Sequence, residues 1–157
     1  MKIFLITPFE NRLAKRGTRF IDIADKLEES GYEVNYVTTN FSHAYKRFFT
    51  KEEIKNDKKL SSYKINYLNI LGYKNNISIQ RVISNFFMSI NFYFFMKKNV
   101  NDGDIVMIPS RPVDFIFFTS LIKSIRKDIK LIMDIRDIWP DGLVKRNILF
   151  ELYCNFF

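Results

Sequence analysis

Apolar and polar positions along this chain change period in blocks. Lys2 to Thr7 is a short, mostly apolar run closed by Pro8, the pattern of a buried strand. Thr18 then stands where a helix N-cap belongs. Phe20, Ile23, Ala24 and Leu27 follow at i, i+3, i+4 and i+7, and Gly31 ends the run. Glu33 to Thr38 returns to a strand pattern, with Val34 and Tyr36 on one side. A strand, a crossover helix and a second strand form a unit whose strands run parallel.

Beyond this unit, Asn40 to Lys59 is polar and basic and predicts a long loop or short helices. Tyr63 to Ile70 predicts a strand. Ile79 to Lys98 predicts a long helix with a broad apolar face: Ile79, Val82, Ile83, Phe86, Phe87, Ile90, Phe94 and Phe95. Part of that face is expected to pack on the sheet. The turn "NDGD" opens a strand at Asp104 to Pro109, and a helix follows from about Pro112 to Lys127. Lys130 to Ile135 predicts the next strand, with a helix beginning after Asp141. The alternation predicts an α/β fold, a doubly wound parallel sheet forming a single domain over residues 1–157. The closing stretch "NILFELYCNFF" is helical in pattern but has no cap, glycine or polar tail. It reads as the end of a chain that is cut short or that meets a partner.

Composition narrows the picture. Hydrophobic residues make up 47% of the chain, which excludes a disordered tail. Lys and Arg outnumber Asp and Glu by 25 to 17, a net charge of +8 that suits an anionic partner. Cys154 is the single cysteine, so an intrachain disulfide and a thiolate metal cluster are both excluded. The chain reads as cytoplasmic: the first apolar run is too short for a signal peptide, and no stretch reaches about 18 uninterrupted apolar residues.

In an open α/β sheet, ligands bind beyond the carboxyl ends of the strands. Those ends carry "PFENRLAKRG", "TTNFSH", "PSRP" and "DIRDIWPDG". The first lacks both the Gly-x-Gly-x-x-Gly pattern and the Walker loop, so the backbone phosphate cradles are missing. In their place stand Arg12, Lys15, Arg16 and Arg19 around the single Gly17. Basic side chains at a helix N-terminus can hold an anionic group; they can equally form a solvated face. Asp137 beside Arg136 keeps its charge and orientation, which suits accepting a hydrogen bond from a sugar hydroxyl, or simply stabilises the turn. His43, the one histidine, makes no metal site alone and reads from its residue type as a surface residue.

"RGTRFIDIADKLEESGYEVNYVTTNFSH", "DIVMIPSRPVDF" and "LIMDIRDIWPDGL" occur in the order seen in family 4 glycosyltransferases. The chain resembles the N-terminal, acceptor-side domain of the bacterial capsule and O-antigen enzymes of that family. Arg-Asp-x-Trp-Pro is the most specific segment. The resemblance implies the N-terminal half of a GT-B fold, a Rossmann-like domain whose donor-binding C-terminal partner lies outside these residues. The first turn departs from many relatives, which carry a Gly-Gly pair there. The resemblance also implies a retaining, metal-independent transfer from a nucleotide sugar, without a bound cofactor, to a lipid-linked or oligosaccharide acceptor in surface polysaccharide synthesis. In that reading Asp137 is catalytic, orienting or deprotonating the acceptor hydroxyl. Arg16, Gly17, Arg19, His43, Ser110, Arg111 and Arg136 bind the acceptor, with Arg16 and Arg19 on its phosphate. "DGD" at Asp102 to Asp104 is similar to the metal-binding pair of some sugar transferases, but it precedes its strand and reads as a turn.

The expected partners are the acceptor, a separate donor-binding domain and an anionic membrane surface. For the last, the aromatics of Ile79 to Lys98 beside Lys97 and Lys98 would rest peripherally on the inner face of the membrane. Two other readings stay open: a non-catalytic acceptor- or membrane-binding subunit of a split transferase, and an inactive remnant. A nucleic-acid partner is not expected, because the aromatics cluster in runs such as "NFFMSINFYFF" and do not interleave with Arg and Lys.

Overall fold

A computed structural model of the chain describes residues 1–14 and 17–135. Its parallel strands are β1 (Lys2–Ile6), β2 (Glu33–Thr39), β5 (Lys64–Leu68), β6 (Ile105–Pro109) and β7 (Lys130–Asp134). They form a five-stranded sheet in the order β5-β2-β1-β6-β7, with every neighbouring pair parallel. A two-stranded antiparallel hairpin, β3 (Phe41–Ser42) with β4 (Arg47–Phe48), stands apart from it. The helices are α1 (Arg19–Glu29), α2 (Lys51–Leu60), α3 (Ile79–Asn99) and α4 (Asp114–Ile125). The sheet is the expected α/β one, with a Rossmann-like strand order. The helix expected after Asp141 lies outside the described residues.

The two-residue period of the strands divides the core. Ile3 and Leu5 of β1 point to one face, where Phe20 and Ala24 of α1 meet Val34, Tyr36 and Ile65. Phe4 and Ile6 point to the other, against Met88, Phe92 and Met96 of α3 and Phe115 and Ile122 of α4. Burial on both faces explains why these strands read as short continuous apolar runs. Phe92 and Phe115 meet edge to face with ring centroids 4.7 Å apart, locking α3 to α4.

Helix α3 faces the core differently from the sequence pattern. Its buried residues are Ser84, Met88, Ser89, Phe92 and Met96. Of the apolar positions that define its broad face in the sequence, Phe95 packs inward near Phe4, while Ile79, Val82, Ile83, Phe86, Phe87 and Phe94 are exposed. The helix is apolar nearly all round, so periodicity alone cannot say which side meets the sheet. Among the described residues, no helix is long and apolar enough to cross a membrane.

Capping also departs from expectation at α1. Thr18 is the N-cap, but its side chain makes no capping bond. The Glu10 carboxylate lies there instead, its Oε2 accepting from the Phe20 N–H at 3.4 Å. "NDGD" is the turn that its composition predicts: the Asp104 carboxylate accepts from the N–H groups of Lys2 at 2.7 Å and Asn101 at 2.9 Å.

Candidate functional site

The chain runs outward from β1 through β2 to β5, then returns to add β6 and β7 on the other side. The order reverses between β1 and β6, and their carboxyl ends bracket the crevice where such sheets bind ligands. Three segments border it: the loop after β1, the hairpin after β2, and Ser110 and Arg111 after β6.

A cleft of about 390 Å³ opens at this edge, lined by Phe9, Glu10, Ala14 and Gly17 from the first loop. His43, Ala44 and Lys46 from the hairpin and Asn76, just before α3, close it. Gly17 has φ +72°, and a Cβ there would stand 2.9 Å from Glu10 Cγ, so both backbone and packing demand glycine. Lys46 also has a positive φ, 53°, which costs a lysine about 1 kcal/mol or more, and its N–H is fixed to the Ser42 carbonyl at 2.8 Å.

His43 is half-buried and stacked beside Phe9 with centroids 5.2 Å apart. Its Nδ1 lies 2.5 Å from the Tyr73 hydroxyl and 3.3 Å from Lys46 Nζ. The ammonium can only donate, so Nδ1 accepts and the proton sits on Nε2. Burial, then the charges of Lys46 and Arg81, push the His43 pKa down to about 4. The ring is neutral at physiological pH.

Around it gather cations that no sequence motif marks. Lys46 Nζ lies 4.8 Å from the Tyr73 ring centroid and donates to Asn76 Oδ1. The Arg81 guanidinium, from the first turn of α3, lies 5.6 Å from the same ring and 6.0 Å from that of Phe9, and donates to the Asn76 carbonyl at 2.6 Å. Among the described residues, neither Lys46 nor Arg81 pairs with a carboxylate. Burial and then the Arg81 charge lower the pKa of both Lys46 and Arg111. Cations held within reach of one another in a half-dry cleft favour an anion between them.

The described cations of the first loop, Arg12 and Arg19, are committed elsewhere. Arg19 Nη2 lies 2.7 Å from Oδ1 of the buried Asp134, tying the start of α1 to the end of β7. Arg12 Nε lies 3.3 Å from Asp57 Oδ1, and Arg12 Nη1 donates to the Tyr63 hydroxyl at 3.4 Å. At the N-terminus of α1, where an external anion was expected, Glu10 supplies a carboxylate of the chain itself. Of the predicted acceptor residues, then, the structure brings Gly17 and His43 into one cleft and sets Arg111 within electrostatic reach of Arg81. The Ser110 N–H donates to the Asp134 carbonyl at 3.0 Å, fixing the loop after β6 at the same edge. It directs Arg19 to Asp134. Arg16, Arg136 and Asp137 lie outside the described residues. Among those described, no group of three or more His, Cys, Asp or Glu could hold a metal ion.

No protein-family model matches the chain, and no curated protein matches it.

Proposed function

We propose that the chain is the acceptor-binding half of a GT-B glycosyltransferase of the capsule and O-antigen type. It would receive a lipid-linked glycan acceptor for transfer of a sugar from a nucleotide sugar in surface polysaccharide synthesis. The observation that carries this reading is the convergence of Lys46, Arg81 and Arg111 beside the Gly17–His43 cleft, at the switch point of a parallel sheet. A diphosphate between the glycan and its lipid offers a counter-charge to Lys46 and Arg81. Lys46 and Arg81 would hold it, and the neutral His43 would donate from Nε2 to a phosphate or sugar oxygen. The strand-end segment "DIRDIWPDG" supports the reading from the sequence side, with Asp137 orienting the acceptor hydroxyl and accepting its proton, and Arg136 steadying that carboxylate.

Titration calorimetry tests the reading with a short-chain prenyl diphosphate sugar and the same sugar lacking the diphosphate. Binding of the first alone, weakened by salt, is expected. Equal binding of the two, or none of either, contradicts it. In an enzyme completed by a donor-binding domain, Asp137→Asn should lower kcat far more than it raises the acceptor KM.

A further inference from the structure

The outer face of α3 does not behave as a surface helix. Between Lys58 and Asn101 there is no Asp or Glu, while seven residues are Lys or Arg. Within α3 the exposed apolar positions are Ile79, Val82, Ile83, Phe86, Phe87 and Phe94, a stripe broken only by the half-buried Ile90 and Asn91 and followed by Lys97 and Lys98. Ile79 is 68% exposed, Ile83 54% and Phe94 62%. Ile77, just before the helix, is 92% exposed. Such a run of apolar side chains exceeds the scattered hydrophobics of an ordinary surface. The stripe starts beside the cleft, because Asn76 and Arg81 belong to the same turn of chain.

We infer that this face of α3 docks on an anionic lipid bilayer, with the helix lying in the headgroup layer. Apolar side chains would enter the acyl boundary, and Lys97 and Lys98 would meet lipid phosphates. Charge selects this occupant over a second copy of the chain. A symmetric dimer through α3 would bring two acid-free, basic surfaces together, whereas an anionic bilayer complements them. The inference is independent of what the cleft binds.

The test is co-sedimentation of the whole chain with vesicles of phosphatidylcholine alone and of phosphatidylcholine mixed with phosphatidylglycerol. Binding to the mixed vesicles, weakened by salt, with little to the neutral ones, is expected. Ile83→Ser with Phe94→Ser should lower that binding roughly tenfold or more, with an unchanged melting temperature because both side chains are exposed. If the pair disturbs folding, Lys97→Gln with Lys98→Gln serves as the second variant and should lower binding to mixed vesicles alone. Equal binding to both vesicle types, no binding to either, or full binding by folded variants overturns the inference. Elution as a dimer that Ile83→Ser with Phe94→Ser splits, without vesicle binding, would assign the face to a second copy.

Discussion

Two basic regions meet at the carboxyl edge of this sheet, and they differ in what their charge is for. In the loop after β1, Arg12 and Arg19 are matched to Asp57 and Asp134, and Glu10 caps α1. Between the hairpin and the start of α3, Lys46 and Arg81 hold to amide, carbonyl and aromatic groups while depressing the pKa of His43. The first region is denser in Arg and Lys, yet its described cations, Arg12 and Arg19, carry carboxylate partners, whereas Lys46 and Arg81 have none among the described residues. Matched charges bind the fold together; mutually repelling charges in a cleft await a ligand.

The largest expected effect separates the two directly. Charge-assisted hydrogen bonds are worth about 1.5–3 kcal/mol each, so Lys46→Ala with Arg81→Ala should weaken prenyl diphosphate binding about a hundredfold or more. The melting temperature should hold or rise as repulsion is relieved. Calorimetry and thermal denaturation on the same samples check both halves.

Breaking the first region should have the opposite signature. Arg19→Ala leaves the Asp134 carboxylate buried without its guanidinium, at a cost of about 1–3 kcal/mol in urea unfolding. Diphosphate affinity should change less than twofold. Gly17→Ala sharpens the point within the cleft, since it forces an L residue to φ +72° against Glu10. It should cost about 1–2 kcal/mol, which urea unfolding also measures.

A further effect is in pH dependence. His43 has a folded-state pKa of about 4, below its unfolded value of 6.5, so the unfolded chain binds the extra proton between them. Its contribution to stability is complete above about pH 6.5 and is lost as pH falls toward 4. His43→Gln should flatten that part of the stability profile, as urea midpoints across the window would show.

Much of this fold is legible in the sequence because parallel strands buried on both faces leave uninterrupted apolar runs. The strands begin and end within two residues of the expected positions, and α1 follows from Phe20, Ile23, Ala24 and Leu27. Helix α2 falls where a long loop or short helices are expected, and its start is readable at Thr-x-x-Glu, since Thr50 and Glu53 form a capping box. The β3–β4 hairpin was not legible, since strands of two residues carry no period. Nor was the outward face of α3, because a helix apolar on every side offers no contrast. The site divides the same way. Gly17 and His43 follow from strand ends, whereas Lys46 and Arg81 become neighbours only when the hairpin and α3 fold over one edge. The Arg19–Asp134 pair joins residues far apart in the chain, so the sequence showed a loose cation where the fold makes a closed pair.

The central claim of the proposal is that the anion site lies with Lys46 and Arg81 and not with Arg12 and Arg19. The most direct measurement is calorimetric titration of inorganic pyrophosphate into the wild-type chain, Lys46→Ala with Arg81→Ala, and Arg12→Ala with Arg19→Ala, each verified as folded. The account predicts binding lost in the Lys46/Arg81 variant and kept in the Arg12/Arg19 variant. The reverse pattern, or equal losses in both, would contradict it.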